Sequence, residues 1–580
     1  MWKILKRYAK NYLLPLALVI ILTVSQALVQ LLLLTGETKR ILDNGVATGD
    51  MNYILCSAVK MVIYSAIVLA LAAATSYFGT RVAVGIRRDI SRDCYKKVLA
   101  MSPQDFAVFG ESTLYTRCIS DAGDIQKLLG VILKNCLIAP VIIVILFVLL
   151  FSLDPQIMLA ELITAIIALT IMLIIWFKTR IDFAKAQRIK DRLVLTLREK
   201  IIGVRTIRAF ENEEYEMGKT GDLGEEFRNL DVRANAPLNL VSPMVLILIN
   251  LSLVVVFFLG TEQVSKGLIP LSTLILVIQY INALIPCLSV MPIVINLMPA
   301  ATVASERVCE LLEYEGKDRQ AAATEECERT YEKENTVLAA DDLCFGYDGN
   351  QLVLDHISFD VEAGEKIVII GATGSGKTTL LNLLMGFYRP TDGRVYIHGE
   401  DALEMDSALR AGCFSYAPQK ATVFQDTVLE NIRAYHRDIP DEMIMKACDN
   451  SDFTEVIGKL KTGLNTEMAQ GGMNLSGGQR KRLSLARALA KNAEIYLLDD
   501  PFAALDARTE ALVSRRTMEQ LKDKTVIMVA QKIASIAGFD RIIVLKDGRM
   551  AGIGSHEELL TSCDEYRDIY ETQCYLEREA

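Results

Sequence analysis

An all-α, polytopic membrane unit joined to a soluble α/β unit is the fold class that this 580-residue sequence predicts, on three observations. Six long apolar runs fall before residue 300, and none recurs after it. A strand, a glycine-rich loop and a helix pattern then follow one another between residues 366 and 388. Finally, 51% of residues are hydrophobic and the mean hydropathy is +0.28, yet 23% are charged, so the two classes are segregated along the chain. At this length one core does not suffice, and at least two folded units are expected.

The apolar runs lie near 13–34, 54–79, 135–153, 156–177, 238–260 and 268–293. Each is close to the roughly 20 helical residues that cross about 30 Å of hydrocarbon. The first is too long for a cleaved secretory signal, so a retained helix is expected there. MWKILKRYAKNY, just before it, reads as a short amphipathic helix lying on the inner membrane surface.

Lysine and arginine mark the cytoplasmic side. The N-terminal segment carries Lys3, Lys6, Arg7 and Lys10; the gap 80–130 carries eight such residues and the gap 178–236 thirteen, against two, none and one in the other gaps. Both termini are therefore expected in the cytoplasm. The two basic gaps are charged at helical spacing with few breakers, which predicts that the membrane helices continue into long cytoplasmic stalks.

Residues 313–335 are rich in Glu, Lys and Ala without apolar periodicity and read as a linker. The expected domains are thus 1–312, the linker 313–335, and a soluble domain over 336–580. Twelve cysteines without a CxxC pair argue against a zinc site and a disulfide framework and favour reduced thiols. With a net charge of −9 and no basic cluster outside the stalks, no nucleic-acid partner is expected.

The soluble part carries the chemistry. GATGSGKT, residues Gly371, Ala372, Thr373, Gly374, Ser375, Gly376, Lys377 and Thr378, follows the apolar strand KIVII and opens the helix that begins with Thr379. That is the context of a P-loop, in which backbone N–H groups curl around phosphates, a lysine adds charge and a hydroxyl ligates Mg²⁺. Farther on, Leu475, Ser476, Gly477, Gly478 and Gln479 start another helix, where a hydroxyl, free N–H groups and the positive dipole end make an anion site.

With the P-loop at this spacing, LSGGQ makes the C-terminal half resemble the ATP-binding domain of ABC transporters. The resemblance implies an α/β P-loop ATP-binding domain with a helical subdomain, binding ATP with Mg²⁺. It places Tyr347 of FGY where an aromatic stacks on adenine, Gln419 of YAPQ where a loop glutamine senses Mg²⁺, Asp499 as the Mg²⁺-side acid and Asp506 in the domain-interface loop. Thr378, Gln419 and Asp499 are the implied metal-side residues. GVRTIRAFENEE at 203–214, and the stretch from Phe106 to Asp124, look like the intracellular loops of exporter-type members. The resemblance also implies a multi-pass protein of a bacterial inner membrane.

Two positions depart from the pattern. The family's general base is a glutamate directly after the Mg²⁺-side acid, and this chain has Asp500. Its carboxylate is set back by about one carbon–carbon bond, roughly 1.5 Å, and misplacement on the order of 1 Å can cost about 100-fold. Gln531 stands where the family carries a histidine that contacts the γ-phosphate, and the four histidines, His356, His398, His436 and His556, lie elsewhere. Together the departures resemble the degenerate site of heterodimeric ABC exporters. They imply one half of a heterodimer, with hydrolysis mainly at the composite site that its own LSGGQ completes for a competent partner.

An ATPase-coupled exporter of amphipathic drugs, lipids or peptides, with two chains alternating access, is the leading expectation. An importer of siderophore-like cargo on the same scaffold, or a non-transporting ATP-binding membrane sensor, remains open. Glu161, near the outer end of the fourth run, either faces a cavity and attracts cations or snorkels to the headgroups. Pro286, Pro292 and Pro299 are expected to kink the sixth run.

Overall fold

A computed structural model of the chain describes all residues except 154, 316–334, 348–350, 435, 437, 504, 533–535, 537 and 580. The expected linker therefore lies almost wholly outside the described residues. The chain divides into two compact units, one of Met1–Met101 with Phe109–Tyr314 and one of Ser102–Val108 with Glu315–Ala580.

The first unit is helical. Five of its described helices are long and apolar enough to cross a membrane: Lys3–Val46, Met51–Leu99, Glu111–Leu153, Pro155–Thr179 and Glu213–Ser265. Two run far beyond hydrocarbon thickness, since Met51–Leu99 has 49 residues and Glu213–Ser265 has 53; at 1.5 Å per residue each exceeds about 70 Å. The Pro155–Ile202 helix, of 48 residues, is of similar length. A short helix, Val204–Ala209, links it to the Glu213–Ser265 helix.

The sixth run, expected as a span at 268–293 kinked by prolines, is not one continuous helix. It is broken into Leu271–Asn282, Leu284–Ser289 and a helix that opens at Met291 and continues to Glu313. Proline lacks an N–H and cannot donate to the carbonyl of the residue four back; Pro286 leaves that of Asn282 without its helical donor, where the first segment ends.

Apolar side chains meet inside the unit, among them Ala27, Leu31, Ile142, Leu146, Val245, Ile249, Val277 and Tyr280. Leu69, Val148, Ile174 and Phe258 instead stay more than half exposed, an apolar outside that hydrocarbon accommodates and water does not. The N-terminal helix Trp2–Tyr8 does not offer its whole apolar face to lipid. Ile4 and Tyr8 are buried, the Tyr8 and Tyr12 hydroxyls donate to Asp93 and Asp89 at 3.0 and 2.8 Å, and Lys3 pairs with Glu313.

Glu161 does not snorkel. It is 2% exposed and accepts a hydrogen bond from the Ser252 hydroxyl on the Glu213–Ser265 helix.

The second unit contains two sheets. Strands β1 (Thr336–Phe345), β2 (Leu354–Glu362), β4 (Asp392–Ile397) and β5 (Glu400–Asp401) form an antiparallel sheet in the order β2-β1-β4-β5. Strands β3 (Lys366–Gly371), β6 (Phe414–Ala417), β7 (Ile495–Asp499), β8 (Thr525–Val529), β9 (Arg541–Lys546) and β10 (Arg549–Gly554) form the other, ordered β10-β9-β3-β8-β7-β6. All its pairs are parallel except β9 with β10.

Uninterrupted apolar strands are what a sheet covered on both faces requires. In β3, Ile367 and Ile369 enter one core with Phe345, Ile357 and Leu380, while Val368 and Ile370 enter another with Leu483, Leu485 and Val513. The same alternation holds in β7, where Ile495 and Leu497 oppose Tyr496 and Leu498. Each fully buried aliphatic side chain contributes about 1.5–3 kcal/mol.

Gly260 offers a packing test, because a Cβ there would lie 2.3 Å from Leu274 Cδ1. Gly260→Val is expected to destabilise the first unit by about 1–3 kcal/mol. Adding Leu274→Ala should recover much of the loss, as read by the thermal midpoint of the detergent-solubilised chain. A Gly260→Val midpoint equal to wild type would refute this packing.

Candidate functional site

The carboxyl ends of β3, β8 and β7 meet along one edge of the parallel sheet, where ligands of open α/β sheets bind. β3 delivers the loop Gly371–Thr378, β7 ends on Asp499, and β8 leads to Gln531. Gly371 sits at φ 153°, and a Cβ there would lie 2.2 Å from the carbonyl oxygen of Leu545. Gly376, at φ 99°, caps the helix Lys377–Leu384, whose first free N–H groups face the loop.

Lys377 Nζ donates to the carbonyls of Gly371 and Ala372 at 2.8 and 2.7 Å. Burial pushes its pKa down, against the pull of Asp499 and Asp500. Thr378 Oγ1 donates to Asp499 Oδ2 at 2.9 Å. Asp499 is fully buried, and its Oδ1 has no hydrogen-bond partner among the described residues. A threonine hydroxyl beside a carboxylate with an unsatisfied buried oxygen is a hard oxygen donor set that suits Mg²⁺. Burial raises the Asp499 carboxyl above its ordinary range, which a cation would reverse.

The two departures of the sequence touch. Gln531 Nε2 donates to Asp500 Oδ2 at 2.8 Å, and both residues line a cavity of about 220 Å³ with Glu510 and Lys532. Asp500 adopts φ 49°, its N–H donates to Val529 O, and burial raises its carboxyl above the usual range. A larger cavity of about 420 Å³, lined by Phe387, Tyr416, His436 and Arg487, includes neither Asp500 nor Gln531, and no P-loop residue lines either cavity. Chemistry, rather than size, singles out the smaller one.

Tyr347 is 49% exposed, stands edge-on to Phe345 and Tyr388, and its Oη lies 3.0 Å from Thr379 Oγ1. One ring face is thus available beside the loop helix. Gln419 is exposed in the segment after β6. Its neighbour is tied in by Lys481, which sequence reasoning did not single out. Lys481 Nζ donates to Asp500 O at 3.1 Å and Pro418 O at 3.5 Å, so the helix that starts at LSGGQ reaches the Asp500 backbone. A lysine in a basic QRKR run carries no sequence signal for this; only the fold turns it inward.

Ser476 caps the helix Gly477–Ala490: its Oγ accepts from Gln479 N, while Gln479 Oε1 accepts from Ser476 N at 2.8 Å. This capping box holds the Gly477 and Gly478 N–H groups at a helix N-terminus. Leu475 anchors it at 5% exposure. Asp506 is likewise an N-cap, accepting from Thr509 N at 3.0 Å. Among the described residues no hydrogen bond links Leu475–Gln479 or Asp506 to the P-loop. The P-loop and the capped Leu475–Gln479 segment thus stand as two groups not joined by hydrogen bonds among the described residues.

Known families match both units. The family description "ABC transporter" matches residues 354–503, and "ABC transporter transmembrane region" matches 16–286. The chain is 28% identical to the ABC transporter ATP-binding protein YfiB of Bacillus subtilis over 98% of its own length and 97% of that protein. It is 30% identical to YheI of Bacillus subtilis, a probable multidrug resistance ABC transporter ATP-binding/permease protein, over 67% of this chain and 66% of that one. A solved bacterial Atm1-family ABC exporter with ATP bound has the same fold, with a TM-score of 0.81 and 22% identity, covering 97% of this chain and 98% of that one.

Gly371→Ala should weaken binding of a fluorescent ATP analogue about 5- to 150-fold, the equivalent of roughly 1–3 kcal/mol of backbone strain. Unchanged affinity would show that the loop tolerates a side chain against Leu545.

Proposed function

The chain belongs to the ABC transporters, with an exporter-type fold that joins a helical membrane region to an ATPase domain, and from that premise we propose that it is the weakly hydrolysing half of a heterodimeric exporter of amphipathic compounds. The observation that carries this reading is the 2.8 Å hydrogen bond from Gln531 to Asp500. A general base must present a free lone pair to water. Asp500 is a methylene short of glutamate, and one of its oxygens is already engaged by an amide, which leaves a single oxygen, set back from the water, to act. Gln531 donates but cannot become a cation, so two contributions to hydrolysis are weakened together.

Nucleotide binding stands apart from these losses. Lys377, the loop amides and Tyr347 bind and orient ATP in this reading, and Thr378, Asp499 and Gln419 hold Mg²⁺. Held there, Mg²⁺ would supply positive charge against the nucleotide's phosphates. The capped helix at Ser476 and Gly477 serves the partner chain's nucleotide, with Asp506 at the same interface. Domains of 1–312 and 336–580 around the linker 313–335 suit this division. Both termini then lie in the cytoplasm of a bacterial cell, with the cell (inner) membrane as its location; the bacterial source of the relatives suits this reading, and the multidrug description of YheI supports amphipathic cargo.

ATPase rates of the chain alone and of the chain purified with its partner test the proposal. The chain alone should be slower on the order of 100-fold. Asp500→Asn should leave the pair within about twofold, and Ser476→Arg should abolish its turnover. If the lone chain matched the pair and Asp500→Asn silenced it, the reading would be wrong. Export would appear as ATP-dependent uptake into inverted vesicles.

A further inference from the structure

We propose that Cys344, Asp355 and His356 form a zinc-class divalent-cation site at the base of the β1–β2 hairpin. The three residues come from two strands, with Cys344 on β1 and Asp355 and His356 on β2. The pairing is irregular there: the register shifts between Leu343 and Phe345, opposite Ile357 and Leu354. Strand alternation turns Cys344 away from the core that Leu343 and Phe345 enter, and the extra β2 residue in this interval sets both Asp355 and His356 opposite it.

The sulfur of Cys344, a carboxylate oxygen of Asp355 and a ring nitrogen of His356 all lie within 4.8 Å of one another. His356 Nε2 is 3.7 Å from Asp355 Oδ1. Donors on one tetrahedral zinc ion, with bonds of about 2.0–2.3 Å, sit roughly 3.3–3.6 Å apart, so small side-chain rotations close the set. Thiolate, imidazole and carboxylate together select zinc or cobalt over magnesium or calcium.

The surroundings are those of ligands held for a metal. His356 Nδ1 lies 2.7 Å from Asp342 Oδ1. As donor to that carboxylate, Nδ1 keeps the proton and leaves Nε2 as the bare nitrogen, the arrangement that orients metal-binding histidines. The His356 backbone N–H donates to Cys344 Sγ at 3.3 Å, which holds the sulfur beside the histidine. Arg549 pairs with Asp355 through Oδ2 at 2.6 Å, fixing that carboxylate while Oδ1 faces the histidine. Cys344 is 5% exposed, and the His356 side chain is 67% exposed, so the site has a buried anchor and an open entrance.

The spacing of the cysteines argues against zinc because it searches for pairs of cysteines. Here one cysteine meets a histidine twelve residues later across a hairpin.

Cobalt and zinc titration of the full-length, chelator-stripped chain in detergent tests the site. Wild type should bind one more equivalent of Co²⁺ than Cys344→Ser, with a thiolate charge-transfer band that Zn²⁺ abolishes. His356→Ala, at an exposed position that leaves the fold intact, should weaken that equivalent about 10- to 100-fold. Retained ATP-analogue binding certifies that each variant is folded. Equal stoichiometry and an equal band in wild type and Cys344→Ser, or affinity no better than about 1 mM in wild type, would overturn the proposal.

Discussion

Burial of the parallel sheet on both faces is the constraint from which the nucleotide site follows. Because β3, β7 and β8 are apolar on both sides, they can only lie in the middle of the unit, and their charged residues stand at the strand ends. There Gly371, Asp499 and the approach to Gln531 reach one edge together. The alternation of Ile367 and Ile369 with Val368 and Ile370 between two cores fixes the strand register. A one-residue slip would exchange every side chain between the cores, and Thr378 would lose its 2.9 Å contact with Asp499.

Low local polarity at that edge has two consequences. It depresses the pKa of Lys377 and Lys481 and raises those of Asp499 and Asp500, so the four groups depend on one another for their charges. It also gives weight to single hydrogen bonds. The amide of Gln531 on Asp500 would matter little in open water, but beside a half-buried carboxylate it sets which oxygen is free.

The helical unit follows a different rule. Its long helices satisfy their own backbone groups, which is the requirement for crossing hydrocarbon, and the runs that announce them are contiguous in sequence. Where a helix departs from the extent of its run, the cause is local chemistry. The sixth run has the composition of a span, but its helix ends at Asn282, whose carbonyl proline at 286 cannot serve. Glu161 was legible as unusual and not as paired, since Ser252, its partner, lies 91 residues away on another helix.

By itself the sequence determined the division into a helical apolar part and an α/β part, and within the latter the loop, the capped LSGGQ helix and the two unusual residues. Those features are written in contiguous stretches or in fixed periods, so they survive without knowledge of contacts. Tertiary structure alone decided that Gln531 bonds to Asp500 across 31 residues, that Lys481 turns from a basic run to the Asp500 backbone, and that Asp506 caps a helix. It likewise brought Cys344, Asp355 and His356 together from two strands. Such pairings depend on which strands become neighbours and on the direction of each side chain, and both are set by burial of the whole sheet rather than by distance along the chain.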